Sequence, residues 1–124
     1  MASGELRPDD SELIILSVLA DEPLYGYAIT KSVAGRSSGE VRLTPGVLYP
    51  LLAKLEKHGF ITSSWETIRS DRNESDDAEG GRKRKWYRLS AKGRKRLEQR
   101  VQAHREYLSL IASFISPGAK ERTE

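Results

Sequence analysis

One face of a predicted helix, from Thr44 to Gly59, carries side chains that could contact a polyanion. Thr44 can cap the first amides with its hydroxyl, Pro45 suits the first helical position, and Gly59 suits the left-handed turn that ends a helix. The stripe predicted to face the core consists of Leu48, Leu51, Leu52 and Leu55. The outer face consists of Gly46, Tyr49, Pro50, Ala53, Lys54 and Lys57. Small groups, an aromatic hydroxyl and cations suit close approach to phosphates.

Pro50 lies inside this helix, where a proline costs about 3 kcal/mol because it removes a hydrogen bond and clashes with the carbonyl four residues earlier. Gly46 occupies that earlier position and leaves room for relaxation, and the lost bond lies near the helix start, where some amides are unpaired anyway. Pro50 by itself is equally compatible with an ordinary core helix and with a functional one.

A second group of cations is the run Arg82–Lys85, which follows an acidic stretch at 71–79. The net charge is only +3, but nucleic acid responds to local cationic patches rather than to the total. We expect the run to contact a DNA minor groove or the neighbouring backbone. The alternative is a solvated run that pairs with the acidic stretch, which could screen it until DNA competes.

Composition argues against several other functions. The 124 residues include no cysteine, so neither a disulfide framework nor a thiolate zinc site is expected. The two histidines, at 58 and 104, are far apart, and no nucleotide-binding glycine loop or glycine-flanked nucleophilic serine is present, so we expect no enzyme, metal or cofactor. The longest apolar run, 13–16, predicts no signal segment or membrane span and hence a cytoplasmic protein.

Two further helices are predicted before the Thr44 helix. After a flexible N-terminus at 1–9, the first runs from Asp10 or Ser11 to Ala20, and the second runs from Gly26 through Val33 to a loop at 35–39. The predicted core residues of this second helix are Tyr27 and Ile29. Val41 and Leu43 predict a short extended piece after the loop. Three short helices with a well-marked third are typical of a helix-turn-helix core.

The pattern then changes to that of a β-hairpin. Strands are predicted at 60–67 and 85–89, joined by a long polar tip, with the wing tip taken as 68–84. We expect Trp65, Trp86 and Tyr87 to be core residues under this wing rather than a ligand box. The fold class is therefore mainly α with a small β-hairpin, a winged helix-turn-helix domain over 10–89.

The final segment, 90–116, predicts a long helix capped by Ser90 and followed by a disordered tail at 117–124. Its apolar heptad seam consists of Leu97, Val101, His104, Leu108, Ile111 and Ile115. A second apolar stripe beside it consists of Ala103, Tyr107, Leu110 and Phe114. One small domain cannot cover both stripes, so a homodimer is predicted. His104 is either an interface histidine that fixes register or a sensor of pH or effector.

Several motifs together resemble the PadR family of transcriptional regulators across roughly residues 12–96. The matching stretches are 25–29 (YGYAI), 44–61 (TPGVLYPLLAKLEKHGFI), Trp65, 81–90 (GRKRKWYRLS) and Gly93. The resemblance implies a dimeric winged helix-turn-helix protein, often a repressor whose DNA affinity is lowered by a small molecule. It places the recognition helix at 44–58, the wing at 67–85 and the dimerisation helix at 90–115.

The chain departs from that family in two ways. The acidic stretch at 71–79 is longer than a compact wing would have, and no tryptophan follows Trp86, so the drug site of some relatives cannot be carried over. His104 and Tyr107 remain candidates for a pocket that takes a small hydrophobic or aromatic effector.

Together these features predict a DNA-binding transcriptional regulator whose partners are a double-stranded operator and a second copy of itself. The candidate DNA contacts are Tyr25, Lys31, Thr44, Gly46, Tyr49, Lys54, Arg82, Lys83, Arg84 and Lys85. Half-sites should lie one helical turn apart, about 34–36 Å, or a multiple of it. The alternative is a winged-helix module that binds a protein through the same outer face.

Overall fold

The computed structural model describes residues 8–68 and 82–116. Its elements are α1 (Pro8–Asp21), β1 (Leu24–Tyr25), α2 (Gly26–Arg36), α3 (Pro45–Lys57), β2 (Ile61–Ile68), β3 (Arg82–Leu89) and α4 (Ala91–Ile115). The predicted fold class, a winged helix-turn-helix with a long C-terminal helix, is confirmed. The predictions for residues 1–7, for the polar tip at 69–81 and for the tail at 117–124 fall outside the described residues.

The three strands form an antiparallel sheet in the order β1-β3-β2. The long hairpin pairs Ile61 with Leu89 at its base and Ile68 with Arg82 at its outer end. β3 is therefore longer than the predicted 85–89, and Arg82–Arg84, which were assigned to the wing tip, belong to a strand. The sequence did not predict β1, because two residues are too short to show the alternation of a strand. Val41 and Leu43, predicted to be extended, lie outside the strands, although Leu43 is buried.

The core lies where the first three helices meet the base of the hairpin. Its fully buried side chains are Ile15, Leu16, Leu19, Ile29, Leu48, Leu52, Leu55 and Ile61. The predicted core stripe of α3 is confirmed except that Leu51 is only partly buried. None of the described helices is long and apolar enough to cross a membrane.

Two aromatic residues predicted to be buried are exposed. Tyr27 is 64% exposed because Ile29 and Val33 define the inward face of α2, and a residue two positions before Ile29 lies on the opposite side. Trp65 is also 64% exposed, although it shares a sheet face with buried Tyr87 and Ile61. Trp65 lies farther out along the hairpin, beyond the part that the helices cover. Tyr87 is buried as predicted, whereas Trp86 is partly buried.

α1 begins at Pro8, so Pro8 and Asp9 belong to a helix rather than to the predicted flexible N-terminus. A buried ion pair joins α1 to α4. Glu12 is 8% exposed and accepts a 2.7 Å hydrogen bond from Arg100 Nη1, while Arg96 Nε lies 3.6 Å from its other oxygen. Arg100 Nη2 also donates to the Asp9 carbonyl at 2.6 Å. The sequence patterns did not predict this link, since the pairing spans most of the chain.

The end of α3 is fastened to the start of α4. Gly59 has φ +82°, and the amides of Gly59 and Phe60 donate to the carbonyls of Glu56 and Leu55, the pattern of a Schellman cap. The hydroxyl of Ser90 accepts from the Gly93 amide at 2.9 Å, which confirms the predicted cap of α4, and also donates to the Gly59 carbonyl at 2.6 Å.

Thr44 is the N-cap residue of α3, but the predicted hydroxyl cap is wrong. The Thr44 side chain makes no capping hydrogen bond, and only its carbonyl takes part, by accepting from the amides of Val47 and Leu48. Its hydroxyl is therefore available for an external partner.

Candidate nucleic-acid interface

The outer face of α3 is exposed along its whole length. Thr44, Gly46, Tyr49 and Lys54 all face solvent, and Tyr49 keeps 47% of its surface exposed. Pro50 lies within the helix on the same exposed side. The leucine stripe on the opposite side anchors α3, so the outer side chains are available to a partner without disturbing the core.

Tyr49 is positioned by a glycine of a different helix. A Cβ atom added to Gly26 would lie 2.2 Å from the Tyr49 hydroxyl and 2.9 Å from the adjoining ring carbon, so only glycine leaves space for this ring over the start of α2. Tyr25, the N-cap residue of α2, gives no side-chain hydrogen bond to the first amides of the helix. These amides form the positive end of the α2 helix dipole, which therefore lies beside the Tyr49 ring.

The basic strand β3 brings its cations against aromatic rings. The Arg84 guanidinium lies 4.1 Å from the centroid of Tyr25, whose ring meets Trp86 edge-on at a centroid distance of 5.2 Å. Trp86 in turn donates its indole hydrogen to Glu66 on β2. Lys85 Nζ lies 5.6 Å from the rings of both Trp65 and Tyr87. These cation–π contacts orient the basic side chains while leaving their charge unneutralised.

Tyr87 is the buried hydroxyl-bearing residue of this region, with 5% of its surface exposed. Burial raises the pKa of Tyr87 above its ordinary value of 10.0, and the neighbouring Tyr49 and Glu56 raise it further. Tyr87 therefore stays neutral near pH 7 and keeps its O–H as a donor.

A cleft of about 460 Å³ lies between α2, α3 and the wing. Its aromatic lining consists of Tyr25, Tyr27, Tyr49, Trp65 and Tyr87. Its basic lining consists of Lys83, Arg84 and Lys85. The structure thus brings together predicted DNA contacts from three separate stretches of sequence. Tyr27 and Trp65 were missed because both had been assigned to the core.

The other predicted contacts lie outside the cleft lining. Thr44, Gly46 and Lys54 lie on the exposed face of α3, and Lys31 lies on α2 with its Nζ 5.5 Å from the Tyr27 ring centroid. Arg82 begins β3.

The predicted seam of α4 is only partly covered by its own chain. Leu97 and Val101 are partly buried, whereas His104, Leu108, Ile111 and Ile115 are exposed. Leu108 is 52% exposed and Ile115 is 72% exposed. In the second stripe, Tyr107 is 58% exposed and Phe114 is 79% exposed. Such a contiguous apolar surface is typical of a protein contact.

Among the residues in the described ranges, no group of three or more potential ligands could hold a metal ion.

Three helices and a basic hairpin wing, with the outer face of the third helix exposed, define a winged helix-turn-helix protein. The family model of the PadR-like transcriptional regulators matches residues 15–99. The chain therefore belongs to the PadR-like family of transcriptional regulators. Members of this family are regulators rather than enzymes.

Individual relatives agree with this assignment. Transcriptional regulator YqjI of Escherichia coli is 31% identical over 112 residues, which are 90% of this chain but only 43% of YqjI. A PadR family transcription regulator from Clostridium difficile is 30% identical with a TM-score of 0.67, over 85% of this chain and 97% of that one. A transcriptional regulator from Clostridium thermocellum is 25% identical with a TM-score of 0.71, over 87% and 95% of the two chains.

Proposed function

We propose that the protein is a dimeric repressor that binds a specific DNA operator and is released by a small-molecule effector. The observation that carries the DNA-binding part is the convergence of exposed Tyr49 on α3 with Lys83–Lys85 on β3 around one cleft. A helix and a basic wing that share one face can address a groove and the adjoining backbone at the same time.

In this proposal α3 enters the major groove. Thr44, Tyr49 and Lys54 reach phosphates or base edges, and Gly46 lets the helix approach closely. The basic strand from Arg82 to Lys85 contacts the minor groove or its flanking backbone. Tyr25 and Lys31 are proposed phosphate contacts, which is supported by the uncapped amides at the start of α2 beside Tyr25.

The proposed dimer forms through contacts between the α4 helices of two copies. Two copies that pair their exposed seams would remove apolar surface from water and set two α3 helices against two half-sites. Repression requires an operator that overlaps the promoter. An effector bound between the subunits near His104 and Tyr107 would change the angle between the two halves and so release the operator.

Fluorescence anisotropy tests the DNA-binding proposal. The protein is titrated at several salt concentrations with duplex DNA from upstream of its own gene and with a scrambled duplex of equal length. We expect tight, competitor-resistant binding to the first duplex alone, with affinity that falls steeply as salt rises, because cations that contact phosphates release counterions.

Tyr49→Ala and Lys54→Ala should each weaken this binding about tenfold, the equivalent of about 1.4 kcal/mol. Lys95→Ala is the matched control because Lys95 is an exposed cation on α4. Equal, weak binding to both duplexes, with no effect of the α3 variants, would contradict the proposal and favour the protein-binding module instead.

A further inference from the structure

We propose that Glu12 is a positioning residue for operator reading, because its ion pair with Arg100 sets the direction in which α4 leaves the winged helix-turn-helix domain. That direction decides how far apart two α3 helices lie when the α4 helices join two copies. The claim about half-site spacing rests on the proposed function, whereas the claim about the direction of α4 concerns a single chain and does not.

The first point of attachment of α4 lies at its start. The Ser90 hydroxyl donates to the Gly59 carbonyl at 2.6 Å, and Lys92 Nζ donates to the His58 carbonyl at 2.9 Å. Both contacts belong to the N-cap and first turn of the helix. A rigid helix that is held only at one end has a fixed position but can still tilt, so these contacts alone do not determine its direction.

The second point of attachment lies about two turns further along α4. Arg100 Nη1 donates to the Glu12 carboxylate at 2.7 Å, and Arg100 Nη2 donates to the Asp9 carbonyl at 2.6 Å. Arg100 follows Lys92 by eight residues, so the two points are separated by about 12 Å along the helix axis. Two separated points define a line, and the contact with Glu12 therefore fixes the direction of α4 relative to α1.

The apolar contacts of α4 are less suited to this role. Leu97 and Val101 are only partly buried, and every residue from Gln102 to the end of α4 is exposed. Apolar contacts are also non-directional, whereas the planar fork of an arginine holds its two acceptors in a fixed geometry. A buried ion pair is a weak source of stability, so its directional hydrogen bonds are the more important contribution here.

Arg96 connects the same carboxylate to the end of α3. Its Nε lies 3.6 Å from the second oxygen of Glu12, and its guanidinium lies 5.3 Å from the centroid of the Phe60 ring. The Phe60 amide in turn donates to the Leu55 carbonyl of α3. In the ranges that the structure describes, Glu12 is the one carboxylate within ion-pair distance of either arginine. No other described acid can therefore replace it.

Distances between two spin labels, measured by pulsed electron paramagnetic resonance, test the direction of α4. The chain has no cysteine, so Thr62→Cys on β2 and Ser109→Cys on α4 provide two exposed labelling positions. An excess of unlabelled protein restricts the signal to distances within one chain. We expect a narrow distance distribution in the otherwise unchanged protein and one about twofold broader in Glu12→Gln. An unchanged distribution in Glu12→Gln would overturn the proposal.

Two further variants separate direction from stability. Arg36→Gln is the matched control, because it breaks an exposed ion pair with Asp21 that does not involve α4, and it should leave the distribution unchanged. The double variant Glu12→Leu with Arg100→Leu replaces a buried ion pair by apolar side chains, which is often neutral for stability. It should broaden the distribution as Glu12→Gln does. A narrow, unshifted distribution in this folded double variant would show that packing alone orients α4 and would overturn the proposal.

Anisotropy with altered operators tests the effect on spacing. The probes are the duplex from upstream of the protein's own gene and two derivatives with one base pair inserted or removed between the half-sites. One base pair moves a half-site by about 3.4 Å and turns it by about 34°. We expect the wild type to bind each derivative about tenfold more weakly than the parent duplex, and Glu12→Gln to show a difference of about threefold or less.

The ratio between duplexes distinguishes positioning from stability, because unfolding of part of the protein would weaken binding to all three duplexes by the same factor. A duplex with a single half-site should bind the wild type and Glu12→Gln equally. Equal ratios in the two proteins would overturn the claim that Glu12 sets the spacing. If the wild type binds none of the duplexes specifically, the proposed function and the spacing claim both fail, while the distance measurement still decides whether Glu12 directs α4.

Discussion

Two glycines in helices, Gly26 and Gly93, have close neighbours of different kinds. A Cβ at Gly26 would meet the hydroxyl end of Tyr49 at 2.2 Å, and this end belongs to a side chain that is half exposed and can rotate away. A Cβ at Gly93 would meet the backbone oxygen of Phe60 at 1.9 Å, and that oxygen also accepts a hydrogen bond from the Ser90 amide. The first contact positions Tyr49, a proposed DNA contact, and the second holds the backbone together.

Gly93→Ala should therefore lower the free energy of unfolding by about 2–3 kcal/mol, since relieving the overlap requires the backbone to move. Gly26→Ala should change stability by less than about 1 kcal/mol, because the helix propensity of alanine offsets part of the crowding. It should nevertheless weaken operator binding about as much as Tyr49→Ala. Urea unfolding and anisotropy measure the two effects, and a Gly26→Ala protein with full DNA affinity would show that the position of Tyr49 is not important.

For single residues, the sequence predicted which face of a helix a side chain occupies better than it predicted which residues that side chain contacts. The 3.6-residue period placed Tyr49 and Lys54 outside and the leucines inside, because both sets lie on one helix. The packing of Tyr49 on Gly26, and of Arg84 on Tyr25, joins residues far apart in the chain, and no local pattern encodes such pairs. Trp65 was assigned to the core on residue type alone, yet its burial depends on how far the helices extend under the hairpin.

Among the elements, α3 and α4 begin with similar residues that act differently. Ser90 accepts a hydrogen bond from the Gly93 amide, whereas the Thr44 hydroxyl makes no capping bond. Ser90→Ala should cost about 1 kcal/mol of stability, and Thr44→Ala should cost much less. If Thr44 contacts DNA as proposed, Thr44→Ala should weaken operator binding while thermal unfolding stays near that of the wild type. Equal destabilisation by both variants would contradict the difference in capping.

The ion pair of Glu12 fixes α4 against α1. The side chains of Glu12 and Arg100 are only 10% and 18% exposed, so Glu12→Gln should lower stability by about 2 kcal/mol by leaving the mostly buried Arg100 guanidinium without its counter-charge. The exposed pair of Arg36 and Asp21, with side chains 52% and 62% exposed, is the matched control. Arg36→Gln should cost no more than about 0.5 kcal/mol.

A double-mutant cycle with Glu12→Gln and Arg100→Gln would isolate the coupling between the two side chains. A coupling energy near zero would show that the pair does not hold the two helices together.

Element types were predicted well where a pattern was long enough to be read. All four helices and both long strands were expected. Ser90 correctly marked the start of α4, and Gly59 correctly marked the end of α3. β1 was not predicted because two residues carry no period and its pairing with β3 is decided by the tertiary fold. The start of β3 was predicted too late, since a run of cations has low strand propensity and is held in the strand by pairing with β2.

For the whole molecule, the outer half of α4 is an apolar surface that a single chain leaves exposed. Leu108→Asp should convert a dimer into a monomer, because a carboxylate in an apolar seam is expensive to bury. Ser109→Asp is the matched control, since it introduces the same charge at the next position, outside the seam. Sedimentation velocity measures the change, and the monomer should also lose most of its operator affinity because only one half-site can be bound at a time. A dimeric Leu108→Asp protein would contradict the assignment of this seam.

The junction between α3 and α4 has a mechanical consequence. The amide and hydroxyl of Ser90 and the amino group of Lys92 bond to the carbonyls of Phe60, Gly59 and His58, so the two helices are fastened at one pivot. α4 extends from it as a lever arm of 25 residues, about 38 Å long. A tilt of about 5° at the pivot displaces the far end by about 3 Å, roughly the height of two helical residues. In the proposed dimer, repacking a single side chain between two α4 helices would therefore re-orient both α3 helices, so the spacing of the proposed half-sites could change through substitutions remote from DNA.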